Sequence, residues 1–440
     1  MDKRQAAFNV LKTLKQKGFE AYFAGGCVRD RVLGVEPKDY DIATIARPEQ
    51  IQALFPRTLP VGVQFGVILV LEEGVTVEVA TFRTEGGYAD GRRPGQVTFS
   101  TLDEDAQRRD FTVNGLYWDG KSEGCIDRVG GVADIGKKII RCIGEPDVRF
   151  GEDHLRMLRA VRFAVQLGFE IEPATFASIQ KNAALILKIS PERIRDELSK
   201  LLTSPAPARG IRLLDASGLL EHILPEVPVM KGVEQPAQYH PEGDVYVHTL
   251  LLMEQLSNAE LELAWGCLLH DIAKPDTFDR AADRIRFHGH DLIGAQKSEV
   301  MLRRLHYSND LIRVVCALVL QHLKFKDTFK MKKSTLKRFF AMERFDLHLE
   351  LHRIDCGASH GDLTAYDFCK EKYAEFLLLP PPVKSPISGE DLKALGHNPG
   401  PEFKKILTAV EDAILEGTLS TRDEALAFVQ KNFPSPSKKQ

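Results

Sequence analysis

A chain of 440 residues has room for two to four domains, and 43% hydrophobic residues is enough to bury real cores. No apolar run approaches a membrane span, and the N-terminal Asp2, Lys3 and Arg4 lead into an amphipathic pattern rather than a secretory core or an acid-free transit segment. The net charge of −3 excludes a uniformly basic polyanion binder, so any nucleic-acid contact must draw on locally clustered charge. The seven cysteines are odd in number, scattered and never spaced as CxxC, which argues for a reducing, cytoplasmic setting and against a cysteine metal site.

In chain order, residues 1–145 read as mixed α/β. A first helix ends at Gly18, a C-terminal cap, and the strand EAYFA follows. DYDIAT, GVILVLEE and VTVEVATF are further strands, rich in β-branched residues and bounded by glycine. From about residue 150 the pattern is helical almost throughout, with breaks at Thr203 to Ala208, around Pro236 to Gly243, and at the proline cluster Pro380 to Pro386. The domain organisation expected is 1–145, 146–205, 206–370 and 371–440.

The stretch AGGCVRDRVLG stands just before KDYDIAT. Asp39 and Asp41 are two apart, so on a strand their carboxylates share a face. Side-by-side carboxylates repel unless a cation sits between them, and hard oxygen ligands suit Mg²⁺. Two such ions can hold both the attacking hydroxyl and the leaving pyrophosphate of an in-line displacement. Gly25 and Gly26 leave room for backbone N–H groups to approach a triphosphate, the following helix start favours anions, and Arg29 adds positive charge. Glu78, read on the strand face opposite Val75, Val77 and Val79, is a candidate third carboxylate. A lone DxD is usually a solvated turn and a lone GG merely a turn; the ordered combination is far more specific.

That combination resembles the head-domain signature of class II tRNA nucleotidyltransferases (the CCA-adding enzyme and poly(A) polymerase family), in the polymerase-β-like superfamily. AQRRDFTVNGLYWD, FGEDHLRMLRAVRFAVQLGF, SPERIRDELSKLL and ISGEDLKALGHNPGPEFKKIL resemble that family's later motifs in order. The resemblance implies an α/β nucleotidyltransferase head, an all-α neck, a helical body and a C-terminal RNA-binding tail. It implies tRNA, CTP and ATP as partners, ribose and phosphate recognition by Arg109 with Asp110 supporting it, and addition of CCA or its terminal A to the tRNA 3′ end. Polyadenylation and a vestigial transferase are the alternatives.

Glu152, Asp153, Arg156, Arg159 and Arg162 fall broadly on one half of a helical wheel, with Met157, Leu158, Val161 and Val165 on the other. An ion-paired solvent face is the ordinary reading. Cytosine and adenine, however, both present an amino donor beside a ring-nitrogen acceptor, which an aspartate and an arginine complement. Uracil and guanine put a carbonyl in place of the amino group. The resemblance implies this templating role for Asp153 and Arg156, and nucleotide or phosphate contacts for Arg159 and Arg162. The glycine-rich, charged segment between Thr84 and Asp105 reads as a loop. In the family such a loop helps switch the pocket from CTP to ATP.

The helical half carries VYVHTLLL, CLLHDIAKP, FHGHDLIGA, LVLQHLKF and LHRIDCGASHG. A lone histidine on an apolar face is normally structural. The adjacent pair His270-Asp271, with His248 before it and His290, His322 and Asp355 after it at helix-length intervals, is a candidate site for a divalent transition metal. The order resembles the HD phosphohydrolase superfamily, which implies an HD domain within the body and a metal-dependent phosphohydrolase activity. His288 is left out in favour of His290.

Overall fold

The computed structural model describes residues 2–61, 63–87, 96–236, 238, 243–282, 284–378 and 386–434. They form two compact units: Met1–Lys231 with Met253–Ala264 and Met301–Ser308, and Gly232–Leu252 with Trp265–Val300 and Asn309–Gln440.

The first unit opens with the helix Lys3–Gln16, whose N-cap Asp2 accepts from Gln5 N at 2.7 Å. Ala6, Ala7, Val10, Leu11 and Leu14 form its buried stripe, and Gly18 at φ +85° closes it, as the sequence predicts. The strands are β1 (Ala21–Ala24), β2 (Ile42–Thr44), β3 (Thr58–Leu59), β4 (Val67–Glu72), β5 (Val75–Thr81), β6 (Arg83–Gly86), β7 (Gln96–Phe99), β8 (Leu116–Trp118) and β9 (Ile126–Asp127). Seven of them build one mixed sheet in the order β3-β4-β5-β2-β1-β8-β9, with β2 and β5 parallel. β6 and β7 pair antiparallel as a separate hairpin, and residues 88–95 of the predicted loop lie outside the described residues. Helices follow at Pro146–Glu152, Leu155–Leu167, Pro173–Asn182, Pro191–Leu202 and Pro207–Ala216. Leu155–Leu167 is tied to Pro191–Leu202 by a buried ion pair between Arg162 and Glu197.

The second unit is helical. Its principal helices include Asn309–Gln321, Phe345–Ala358, Thr364–Leu377 and Pro401–Glu416, and Phe325, Phe339, Phe340, Phe345 and Cys369 form one of its cores. No helix among the described residues is long and apolar enough to cross a membrane, and all seven cysteines are unpaired.

Candidate functional site: a nucleotide pocket and a buried histidine-aspartate cluster

The DYDIAT segment is only partly strand. β2 begins at Ile42, but Asp41 O already accepts from Ala24 N at 2.9 Å, so the ladder reaches the second aspartate. Tyr40 is buried against Phe8 and Phe23 between two exposed neighbours, so Asp39 and Asp41 point away from the core even though neither lies within the strand as predicted. Asp39 is bound by Lys3 at 2.5 Å. Desolvation by surrounding protein, with the Glu78 carboxylate and then Asp39, pushes Asp41 up to about 6 against the pull of Arg109. Glu78 stands exposed on β5, opposite Leu69 of β4, as its alternation predicts. Asp39, Asp41 and Glu78 therefore lie near enough for the charges of Glu78 and Asp39 to be felt at Asp41, and carboxylate oxygens are the hard donors that a divalent cation such as Mg²⁺ takes.

Beside them is a cavity of about 440 Å³ lined by Gly25, Gly26, Arg29, Asp41, Arg108, Arg109, Asp110, Asn114, Asp153, Arg156, Arg159 and Phe163. Most of the residues singled out in the sequence meet here. Gly25 adopts φ +75°, and a Cβ on it would lie 3.0 Å from Arg109 Nη1, so both backbone and space call for glycine. Arg29 Nη1 donates to Asn114 Oδ1 at 2.7 Å, and its guanidinium lies over Phe163.

Several roles differ from the sequence reading. Asp110 does not support Arg109. It accepts from Arg159 Nε and Nη2 at 3.0 and 2.7 Å and from Asn114 Nδ2 at 3.1 Å. Burial opposes its charge, but Arg159 and Asn114 outweigh this and bring Asp110 down to about 2. Arg109 is held instead by Tyr117 and the buried Asp105 at 2.9 and 3.2 Å, which raise its pKa against the cost of burial.

Nor do Glu152, Asp153 and the arginines share one helix. The chain turns extended at Asp153 (φ −137°, ψ 105°), separating the helix Pro146–Glu152 from Leu155–Leu167. Asp153 caps that break by accepting from Leu155 N at 3.1 Å, which is why the wheel drawn across it fails. Glu152 lines a different cavity and holds Arg156 at 2.6 Å. Arg162, paired to Glu197 and Gln166, does not line the pocket.

Sequence reasoning missed Asn114, Tyr117, Asp105 and Arg193. Arg193 grips Asp153 through two bonds of 3.2 and 2.8 Å. It sits inside SPERIRDELSKLL, but nothing local marks it as a partner for a residue 40 positions earlier.

In the second unit, His248, His270 and Asp271 converge, as do Asp271, His290 and His322, all buried, with their ligand atoms within 4.8 Å of one another. Asp271 divides its oxygens between the groups. Oδ2 lies 3.1 Å from His270 Nε2, 4.0 Å from His248 Nε2 and 2.6 Å from Lys274 Nζ. Oδ1 lies 3.4 Å from His290 Nε2 and 3.8 Å from His322 Nε2. Asp355 joins through His248 Nε2 at 3.1 Å, and its pKa is lowered mainly by His248 despite burial. All six residues predicted from the sequence are thus gathered; Lys274, in the same HDIAK segment, was missed.

The tautomers follow from the outer contacts. Nδ1 of His270, His290 and His322 each faces a backbone carbonyl three residues earlier, at 3.0, 2.6 and 2.6 Å. A carbonyl only accepts, so Nδ1 carries the proton and Nε2 turns its lone pair inward. Burial lowers the His290 pKa and takes His322 down to about 4, which favours the neutral rings. Their Nε2 atoms face each other at 3.3 Å, two lone pairs with no proton between them. His270 Nε2 and Asp271 Oδ1 are likewise buried without a hydrogen-bond partner. The two triads, His248-His270-Asp271 and Asp271-His290-His322, are each a donor set that could hold a cation.

Comparison with known proteins decides the family. The chain is 35% identical to the CCA-adding enzyme of Geobacillus sp. (strain WCH70) over 428 residues, covering 96% of this chain and 95% of that one. The chain belongs to the CCA-adding enzymes. It is 35% identical to the CCA-adding enzyme of Streptococcus mutans over 435 residues, with 98% of this chain and 97% of the relative covered. A crystal structure of the Bacillus stearothermophilus CCA-adding enzyme in complex with CTP superposes with a TM-score of 0.77 at 31% identity, covering 98% of each chain. Family profiles agree: residues 21–141 match the poly A polymerase head domain, and 291–429 match tRNA nucleotidyltransferase domain 2. The protein is therefore a nucleotidyltransferase with the head, neck and helical body of CCA-adding enzymes, a family of metal-dependent transferases.

Proposed function

We propose that this CCA-adding enzyme extends tRNA with CTP and ATP in the pocket between Asp41 and Arg156, using Mg²⁺ held by Asp39 and Asp41 with Glu78 beside them. The observation that carries the reading is the meeting of Asp41 with Gly25, Arg29, Arg109, Asp153 and Arg156 around one cavity. When bound, the metal pair supplies charge neutralisation for the entering 3′-hydroxyl and the departing pyrophosphate. The protein's own groups do the rest. Backbone at Gly25 and Gly26 gives the triphosphate close approach, Arg29 and Arg109 offset its charge, and Asp110 aims Arg159 into the cavity. Asp153 accepts from the amino group shared by cytosine and adenine, and Arg156 donates to the ring nitrogen. The boundaries near residues 145, 205 and 370 are read as head, neck, body and tail of this enzyme.

The test is incorporation of each labelled NTP into tRNAs ending before the first C, after CC and after CCA. Addition of C, C and A in order, and nothing after CCA, supports the reading. A-only addition or a poly(A) tail would replace it.

The buried cluster carries a second reading: His248, His270, Asp271, His290, His322 and Asp355 hold a divalent transition metal that activates water against phosphoesters. The facing Nε2 lone pairs of His290 and His322 favour it. Metal analysis of the purified protein and of Asp271→Ala tests it. A wild-type protein that retains no Mn, Ni, Co or Zn above the variant's level refutes it.

A further inference from the structure

Arginine is long and rich in rotamers, so a guanidinium that must meet a ligand in one orientation has to be held by its neighbours. Two neighbours take one edge of Arg109. Its Nε donates to the Tyr117 hydroxyl at 2.9 Å and its Nη2 to Asp105 Oδ2 at 3.2 Å. The Tyr117 hydroxyl donates in turn to the same Oδ2 at 2.6 Å, which closes a cycle of three side chains. The guanidinium also lies over the Tyr117 ring, 4.9 Å from its centroid. The nitrogen outside this cycle, Nη1, reaches Asn114 O at 3.5 Å, the limit of a hydrogen bond, and stands 3.0 Å from where a Cβ on Gly25 would lie. Holding Nε and Nη2 therefore turns Nη1 toward the glycine turn.

The two holding groups stand on rigid ground. Tyr117 of β8 packs in one core with Ala24, Ala43 and Phe82, and the same core takes Leu102 and Ala106 from the helix Leu102–Gln107 that carries Asp105. Asp105 is 1% exposed, and neither it nor Tyr117 lines the cavity. Burial opposes its charge, yet Arg109, then Arg108 and the Tyr117 hydroxyl, hold its pKa below the usual carboxylate value. Its second oxygen is occupied as well, accepting from Arg108 Nε at 2.8 Å and Arg83 N at 3.3 Å. Arg108 and Arg83 are answered separately by Glu85, at 3.0 and 2.7 Å. Asp105 is thus the one carboxylate in this group paired with Arg109. A negative charge behind an anion site weakens anion binding by Coulomb's law, so by charge alone Asp105 works against a triphosphate.

We propose that Asp105, with Tyr117, is a positioning residue for nucleotide addition: it fixes the guanidinium of Arg109 so that Nη1 faces the Gly25 turn, and what it gains in aim exceeds what it costs in charge. This role rests on the reading of Arg109 as a nucleotide contact. The two explanations of the carboxylate differ in sign. If only its charge mattered, removing it would tighten the binding of CTP and ATP. If it aims Arg109, removing it weakens both.

The experiment measures KM and kcat for CTP and ATP on tRNA lacking its end, using the full-length wild type, Asp105→Ala, Tyr117→Phe, Arg109→Ala and the double variant Asp105→Ala, Arg109→Ala, with thermal melting to check folding. Asp105→Ala should raise KM for CTP and ATP alike by roughly tenfold, the loss of one aimed charge-assisted hydrogen bond. Its kcat should change less, and the preference for CTP and ATP over UTP and GTP should stay that of the wild type. Tyr117→Phe keeps the packed ring and alters no charge, and should raise KM roughly threefold. The double variant should be no weaker than Arg109→Ala alone, because the group being aimed is gone. A folded Asp105→Ala with KM at or below the wild-type value overturns the proposal, as does a double variant in which the two losses multiply. If Asp105→Ala does not fold, a wild-type KM in Tyr117→Phe overturns it. Wild-type kinetics in Arg109→Ala overturn the assignment of Arg109 to the nucleotide, a failure distinct from a normal Asp105→Ala beside a weakened Arg109→Ala.

Discussion

Replacing Asp153 with alanine is expected to relax nucleotide choice by a factor that follows from its contacts. An ionised carboxylate offers about four acceptor positions. Arg193 takes one on each oxygen and Leu155 N takes a second on Oδ1, leaving a single free position on Oδ2. One acceptor matches one amino hydrogen of cytosine or adenine. A uracil or guanine carbonyl placed there leaves two acceptors facing each other, an unpaired arrangement costing about 1–3 kcal/mol, or about 5- to 150-fold in selectivity. Asp153→Ala should lose that factor in the ratio of kcat/KM for CTP or ATP over UTP or GTP, with a smaller change in total incorporation. Arg193→Ala should lose part of it, because the carboxylate then rotates and regains acceptors. The assay is single-turnover incorporation of each NTP into tRNA lacking its end. If Asp153→Ala excludes UTP and GTP as the wild type does, Asp153 does not read the base.

Asp39→Ala and Asp41→Ala should each abolish incorporation while circular dichroism stays unchanged, since both are solvent-facing; substantial activity in either would remove the metal assignment. Arg109→Ala should slow all nucleotides alike, leaving the selectivity ratio of the wild type. Gly25→Ala imposes a strained φ near +75° and crowds Arg109, and should cost about 1–3 kcal/mol and lower incorporation, read by thermal melting and kinetics. Asp110 is depressed to about 2 from about 3.8, so it contributes about 2 kcal/mol that is fully present above pH 4 and lost as pH falls through 2. Hydrogen exchange of the helix Leu155–Leu167 should therefore separate Asp110→Asn from wild type at pH 7, with the gap closing on acidification.

What the sequence determined by itself is local chemistry with a short reach. Alternation put Asp39 and Asp41 on one shared face, the paired glycines Gly25 and Gly26 marked a close approach of backbone to a ligand, and helix-length spacing singled out His248, His270, Asp271, His290, His322 and Asp355. These depend on backbone geometry over a few residues, or on apolar faces that each helix must bury. The tertiary structure decided which charged group answers which. Asp110 turns to Arg159, 49 positions away, rather than to its neighbour Arg109, and Asp153 is gripped by Arg193 from another helix. Arg162 is withdrawn from the pocket by Glu197. Any arginine satisfies any carboxylate in a sequence, since the Coulomb attraction carries no address. Only packing, by excluding water and fixing which guanidinium comes within 3 Å, chooses among the pairs.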